Sequence, residues 1–219
     1  MNYIKQEIEE RNITSLIHFT HWRNLSGIYQ LKRIVSKKKL FEKNLIEKED
    51  ILFKNNDSLR LDGEEYINLS ITNPNKKLFQ AFQSRTQTDA SINWCVIKLD
   101  VNLLFDSSIK CFFSVTNAAS NTAKKYGIGK DLINFKNMFL NEINITNTFN
   151  SRTIYRKSQK DNETTDNQAE ILVLGDISDN YIKEVCFKND RDLKNLETTW
   201  KYFYNFNTKK FVVDKSLFL

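Results

Sequence analysis

The apolar residues of this 219-residue chain come in short runs, and that most constrains its fold. LIHFT (16–20), EYINLSI (65–71), NWCVIKLD (93–100), CFFSV (111–115), EILVLG (170–175) and YIKEVCF (181–187) are strand-length rather than helix-length. None approaches the roughly 18 apolar residues of a membrane span. Between them lie segments of helical spacing, but strands and helices do not alternate regularly. That argues for α+β rather than a doubly wound sheet.

Residues 22–36, WRNLSGIYQLKRIVS, set Leu25, Ile28, Leu31 and Val35 near helical spacing, with Thr20 or His21 where a cap would sit. Residues 37–65 are charged and irregular and read as loop with a short helical turn. Asn73-Pro74 turns the chain into a helix ending near Arg85, and VNLLF (101–105) is a short helical turn. TNAASNTAKKYG (116–127) reads as a helix start capped by Thr116 or Asn117. Residues 131–143 again have helical spacing. Residues 144–167 are polar and patternless, which predicts a long functional loop. The tail, TTWKYFYNFNTKKFVVD (198–214), is expected to add one or two strands.

A composition 40% hydrophobic and 27% charged is that of a globular chain. With one proline, five glycines and no linker-like stretch, one domain over residues 1–219 is expected. The polar start, MNYIKQEIEERN, has no signal-peptide core. Three cysteines, Cys95, Cys111 and Cys186, each fall in an apolar run. Buried free thiols in a reducing cytoplasm fit them better than disulfides. No CxxC pair appears, and no metal is expected. The net charge of +6 permits a polyanionic partner, although lysine and asparagine are spread along the whole chain.

Glu170 heads the run EILVLG, with Gln168 two residues before it. On a strand these two would share a face at the mouth of the sheet. The plain reading is an edge charge that keeps a strand end solvated. The two histidines, His18 and His21, both lie in IHFTH; on a strand His18 shares a face with Thr20. A strand histidine is commonly packed and hydrogen-bonded, and no third ligand stands nearby to suggest metal. No GxSxG, P-loop, GxGxxG or HExxH motif is present.

Five blocks, taken together and in order, carry a family likeness. IHFTHWRNL (17–25), INLSITNPNKKLF (67–79), WCVIKLD (94–100), FFSVTNAAS (112–120) and DNQAEILVLGDISDNYIKEVCF (166–187) resemble the DarT family. Its members are DNA ADP-ribosyltransferase toxins of bacterial toxin–antitoxin pairs. The resemblance supports a core of about residues 16–187. It implies an ADP-ribosyltransferase-like split, mostly antiparallel sheet with flanking helices. It also implies NAD as ADP-ribose donor without metal, single-stranded DNA as acceptor, and a macrodomain-type antitoxin as partner.

By the same resemblance Glu170 is the catalytic carboxylate and Gln168 meets the acceptor. His18, Thr20 and Asn24 contact NAD, and Asn117 belongs to a block that shapes the acceptor side. The chain departs from the thymidine-modifying branch, which carries an arginine in a segment like PRSPML. Here that segment reads Asn73-Pro74-Asn75-Lys76-Lys77-Leu78, closer to the guanosine-modifying branch. Arg85 is then a candidate catalytic cation; its plainer reading is a charge suiting a helix C-terminus. Arg152, Tyr155, Arg156, Lys157 and Lys160 mix cations with an aromatic, as single-stranded nucleic acid binding needs; a solvated loop is the alternative. Guanine is the favoured base, with thymine second. Two other functions stay open: a binding module of this fold that has lost catalysis, and a transferase for RNA or protein.

Overall fold

The computed structural model describes residues 2–44, 65–89, 92–146, 151–203 and 210–218. In chain order the first elements are α1 (Asn2–Glu10), β1 (Leu16–His21), α2 (Asn24–Leu31), β2 (Arg33–Ile34) and α3 (Lys37–Glu42). Next come β3 (Tyr66–Ile71), α4 (Lys76–Thr86), β4 (Trp94–Leu99), β5 (Lys110–Ser114), α5 (Asn121–Tyr126) and α6 (Leu132–Asn137). The last are β6 (Glu142–Thr146), β7 (Ser151–Tyr155), β8 (Glu170–Leu174), β9 (Ile177–Ser178), β10 (Ile182–Phe187), α7 (Asp190–Phe203) and β11 (Phe211–Val213). All six apolar runs are strands, in an α+β arrangement. No helix among the described residues is long and apolar enough to cross a membrane.

Among the described residues the main sheet has seven strands, in the order β11-β10-β4-β1-β3-β8-β5. Every neighbouring pair is antiparallel except β10 with β11. Strand β1 pairs with β4 along its full length, from Leu16↔Leu99 to His21↔Trp94. With β3 it makes only two pairs, Leu16↔Ile71 and Ile17↔Ser70. The sheet is therefore split into two halves hinged at Leu16 and Ile17, as the resemblance implies.

Alternation of side chains gives each half its buried face. Ile67, Leu69, Ile71, Ile171, Val173 and Phe113 join Leu16, Ile97 and Leu99 in the larger core, which reaches Phe135 and Met138. Ile17, Val96 and Cys186 pack on the other face against Phe79 of α4 and Phe218. Phe19 stacks on Phe79 at 4.6 Å between ring centres. Trp94 Nε1 donates to Thr86 Oγ1 at 3.0 Å, tying the end of α4 to the start of β4, which pairs there with the end of β1. All three cysteines are buried and free, as their sequence setting predicts. Burial pushes the Cys111 and Cys186 thiols up to about 12, which leaves them protonated.

Several boundaries differ from expectation. The helix expected over 22–36 stops at Leu31, because Lys32 turns left-handed (φ 53°) and Arg33–Ile34 pair with Ser178 and Ile177. Neither Thr20 nor His21 caps that helix, since its cap position is Arg23. Helix α5 starts at Asn121, where Ser120 Oγ accepts from Ala123 N–H at 3.0 Å, and not at Thr116 or Asn117. Helix α6 ends at Asn137, and the chain becomes β6 from Glu142. The loop expected over 144–167 opens with an antiparallel hairpin, from Glu142↔Tyr155 to Thr146↔Ser151. Its apolar Ile143, Ile145 and Ile154 pack with Val115, a contact that local spacing does not encode. Among its described residues the tail yields one strand, β11, while 198–203 continue α7; 204–209 lie outside the described residues. Residues 45–64 of the segment read as loop lie outside the described residues.

Candidate active site

The site lies where the sheet splits. Beyond Ile17 the strands β1 and β3 part, and His18 fills the opening. Its Nδ1 stands 3.1 Å from the backbone oxygen of Asn68. A carbonyl only accepts, so Nδ1 carries the hydrogen and donates it; Nε2 is left with its lone pair. Burial holds the His18 pKa below its usual 6.5 and outweighs the opposing pull of the Asn68 carbonyl. The ring is therefore neutral at neutral pH.

Glu170 is the first residue of β8, at the same end of the split. It is 3% exposed, which removes the solvated edge-charge reading. Its Oε2 accepts from the Ala118 N–H at 2.9 Å. Its Oε1 lies 3.5 Å from Asn68 Nδ2, at the long limit of a hydrogen bond. Ser114 of β5 is its cross-strand neighbour. A buried carboxylate needs such donors to offset lost hydration. Asn68 thus touches both groups, His18 through its carbonyl and Glu170 through its amide.

Thr20 and Asn24 meet directly. Asn24 Nδ2 donates to Thr20 Oγ1 at 2.9 Å, which fixes the start of α2 against β1. The Arg23 N–H donates to His21 Nδ1 at 3.2 Å, so His21 shapes the same corner. Arg85 is exposed in the last turn of α4, the end of a helix dipole that favours a cation.

Gln168 is not on a strand with Glu170, contrary to expectation. It lies in a turn, because its N–H donates to Asp166 Oδ1 at 3.0 Å and Ala169 N–H donates to the Asp166 carbonyl, also at 3.0 Å. Asp166 is itself buried and accepts from Thr116 Oγ1 at 2.6 Å. The TNAAS segment therefore anchors both Asp166, through Thr116, and Glu170, through Ala118.

The basic segment divides into two roles. Arg152, Tyr155 and Lys157 are exposed on or beside the hairpin, with Lys157 Nζ 5.6 Å from the Tyr155 ring centre. Arg156 does not reach out as expected. Its guanidinium donates to the carbonyls of Glu163 at 2.7 Å and Lys160 at 2.6 Å. It is a clamp on the segment leading to Glu170. A second clamp comes from the turn after β3: Thr72 Oγ1 donates to the Asn162 carbonyl at 2.6 Å, and Asn73 Nδ2 to Glu163 Oε1 at 2.9 Å. A groove of about 410 Å³ runs between this turn and the clamped segment, lined by Asn73, Lys76, Arg152, Gln159, Glu163 and Asn167 among others.

Asn68, Ala118 and Glu163 were not singled out by sequence. For Asn68 a signal existed, since Tyr66, Asn68 and Ser70 alternate with Ile67, Leu69 and Ile71 and so mark a polar strand face. Ala118 contributes only a backbone N–H, which no residue type announces.

The family model for DarT, described as ssDNA thymidine ADP-ribosyltransferase, matches residues 17–218. No curated protein matches the chain significantly. Among solved structures, DarT of Thermus sp. 2.9 in complex with NAD+ is similar at a TM-score of 0.58 and 11% identity, over 94% of this chain and 98% of that one. The same protein in complex with ADP-ribosylated ssDNA gives 0.59 and 12%, over 95% and 97%. Thermosipho africanus DarTG in complex with ADP-ribose gives 0.61 and 15%, over 94% of this chain and 51% of that one. At these identities the structural likenesses establish the fold.

Proposed function

The chain belongs to the DarT family, whose model is described as ssDNA thymidine ADP-ribosyltransferase, and from that membership we propose that the split between β1 and β3 holds NAD and that Glu170 drives transfer of ADP-ribose to a base in single-stranded DNA. The observation that carries the reading is Glu170 itself, a buried carboxylate oriented by the Ala118 N–H, with Asn68 bridging it to a neutral His18. NAD supplies an activated ribose: its bond to nicotinamide breaks with the electron pair on the leaving group, and the base nitrogen joins the same carbon and sheds a proton.

The residues divide that work. His18 Nε2, kept unprotonated by burial, accepts a hydrogen from a ribose hydroxyl and fixes the sugar. Thr20 and Asn24 form the polar corner beside it. Glu170 opposes the positive charge that grows on the ribose, an electrostatic effect strengthened by burial. It also takes the proton shed by the base. Gln168 meets the acceptor from the turn. Arg152, Tyr155 and Lys157 hold the strand by charge and stacking, while Arg156 keeps the intervening segment in place. Arg85 supplies a cation toward the diphosphate.

The family description names thymidine. The turn Asn73-Pro74-Asn75, without the arginine of the thymidine-modifying branch, favours guanine. The base is attacked unstacked, because a duplex hides its reacting edge. The chain acts as one catalytic unit, a cytoplasmic toxin countered by a macrodomain-type antitoxin.

The test is incubation with NAD labelled in its ADP-ribose portion and single-stranded oligonucleotides, each lacking one base. Labelling that depends on Glu170 and on one base supports the reading. Label found on protein or RNA alone, or on nothing, overturns it.

A further inference from the structure

We propose that Thr72 is a positioning residue for transfer: its hydroxyl sets the loop before β8 against the split between β1 and β3, and its backbone carries strain to do so. The inference rests on the reading of the chain as a transferase acting on single-stranded DNA, and deepens it. Thr72 directly follows β3 and has φ 61°; among the described residues it is the one β-branched residue with a positive φ. In that left-handed conformation Cβ crowds the following carbonyl oxygen, which glycine avoids. A threonine persists there only where its surroundings over-determine it, a condition met chiefly at functional sites.

The surroundings of Thr72 do this from every side. Its N–H donates to the Ser15 carbonyl at 3.2 Å, next to the Leu16↔Ile71 pair where the two half-sheets meet. The Asn73 N–H donates to the Ile71 carbonyl at 2.6 Å, and Pro74 then fixes the exit of the turn. The Thr72 Oγ1 donates to the Asn162 carbonyl at 2.6 Å. Thr72 therefore joins the hinge of the sheet to the loop. Arg156 grips the same stretch from the hairpin, through the carbonyls of Lys160 and Glu163. Asn73 Nδ2 also reaches this stretch, at Glu163 Oε1, but through two long side chains. The Thr72 hydroxyl holds the loop backbone itself, from a side chain that is stiff at χ1. The two reactants arrive on opposite sides of this joint: NAD in the split, and the acceptor along the loop and hairpin. Glycine here forms the turn without strain but leaves the Asn162 carbonyl untied, so the strain is explained by what the hydroxyl holds.

The test separates positioning from folding. Transfer to a single-stranded oligonucleotide at saturating NAD, NAD hydrolysis without DNA, and melting temperature are measured for the full chain and for Thr72→Ser, Thr72→Val and Thr72→Gly. Serine keeps the hydroxyl, valine keeps only the branched shape, and glycine keeps neither and is free of strain. Transfer should follow the hydroxyl. It is expected to stay close to normal in Thr72→Ser and to fall about 10- to 100-fold in the other two, the scale of a misplaced reactant. Melting temperature should instead follow the backbone, with Thr72→Gly above Thr72→Val. NAD hydrolysis should be unchanged in all three, because water needs no loop to present it. A merely structural role predicts that transfer and hydrolysis fall together in the order of melting temperature, and that result overturns the inference. So does normal transfer by Thr72→Gly, the variant that decides the matter if Thr72→Val does not fold. Thr72→Val melting at or above Thr72→Gly removes the strain, and the inference with it. Normal labelling of the oligonucleotide by all three variants sinks only this inference, whereas no label from the unaltered protein sinks the transferase reading as well.

Discussion

His18 Nδ1 faces the Asn68 carbonyl across the split in the sheet, 3.1 Å away, where the ladder between β1 and β3 has already ended. The ring takes the place of a lost strand contact and is fixed in one tautomer. The same Asn68 reaches Glu170 with its amide. One residue of β3 thus orients groups on two other strands.

His18→Ala is expected to weaken NAD binding by about tenfold, the loss of one well-placed hydrogen bond, as calorimetry would record. Burial sets its pH behaviour. Its folded pKa lies below the 6.5 of the unfolded chain. Its contribution to stability is therefore present above pH 6.5 and is lost as pH falls through the lower folded value, because the unfolded chain takes the proton first. Urea unfolding across that range should show stability declining on acidification, with a shallower decline in His18→Gln. An identical decline in both proteins would assign the effect to other groups.

Glu170→Gln keeps the shape and an acceptor for the Ala118 N–H but removes the charge. Transfer is expected to fall by about 10²–10³-fold, as for loss of one electrostatic contact to a transition state. NAD affinity and melting temperature should change little. Single-turnover transfer and a thermal melt are the measurements, and an active variant would remove Glu170 from the mechanism.

The cations of the hairpin should separate by role. Arg156→Ala releases two backbone carbonyls and is expected to cost about 1–2 kcal/mol of stability, less than fully buried charged hydrogen bonds because the group is half-exposed. Arg152→Ala with Lys157→Ala should leave stability within about 0.5 kcal/mol. That double variant should instead flatten the salt dependence of DNA binding, by about 1.4 in the log–log slope for two phosphates on a single strand. Denaturant unfolding and salt titrations distinguish the two.

Asn75 caps α4, its Oδ1 accepting from the Leu78 N–H at 3.1 Å, while its buried Nδ2 has no hydrogen-bond partner among the described residues. Asn75→Ser keeps a capping oxygen and deletes the buried donor, so it should be neutral or slightly stabilising. Asn75→Ala loses the cap and should cost about 1 kcal/mol. Chemical denaturation of the two variants checks the order, and the reverse order would mean that the amide nitrogen is satisfied.

The apolar runs by themselves determined six strands of the main sheet and the prominence of Glu170, because strand period and burial are properties of neighbouring residues. Helical spacing carried less. It overran α2 into β2, where pairing with Ser178 and Ile177 decided the conformation, and it overran α6 toward β6. The polar stretch after Thr146 hid a strand whose one apolar anchor, Ile154, meets Val115 only in the folded chain. The site itself was settled by register. His18 and Asn68 are 50 residues apart and Asn68 and Glu170 are 102 apart, so no local pattern records that they meet. Gln168 illustrates the limit from the other side. Its spacing from Glu170 suits a strand, yet the carboxylate of Asp166, pinned by Thr116, bends the chain into a turn. Local chemistry chose which residues were able to serve; long-range pairing of strands decided which of them came together.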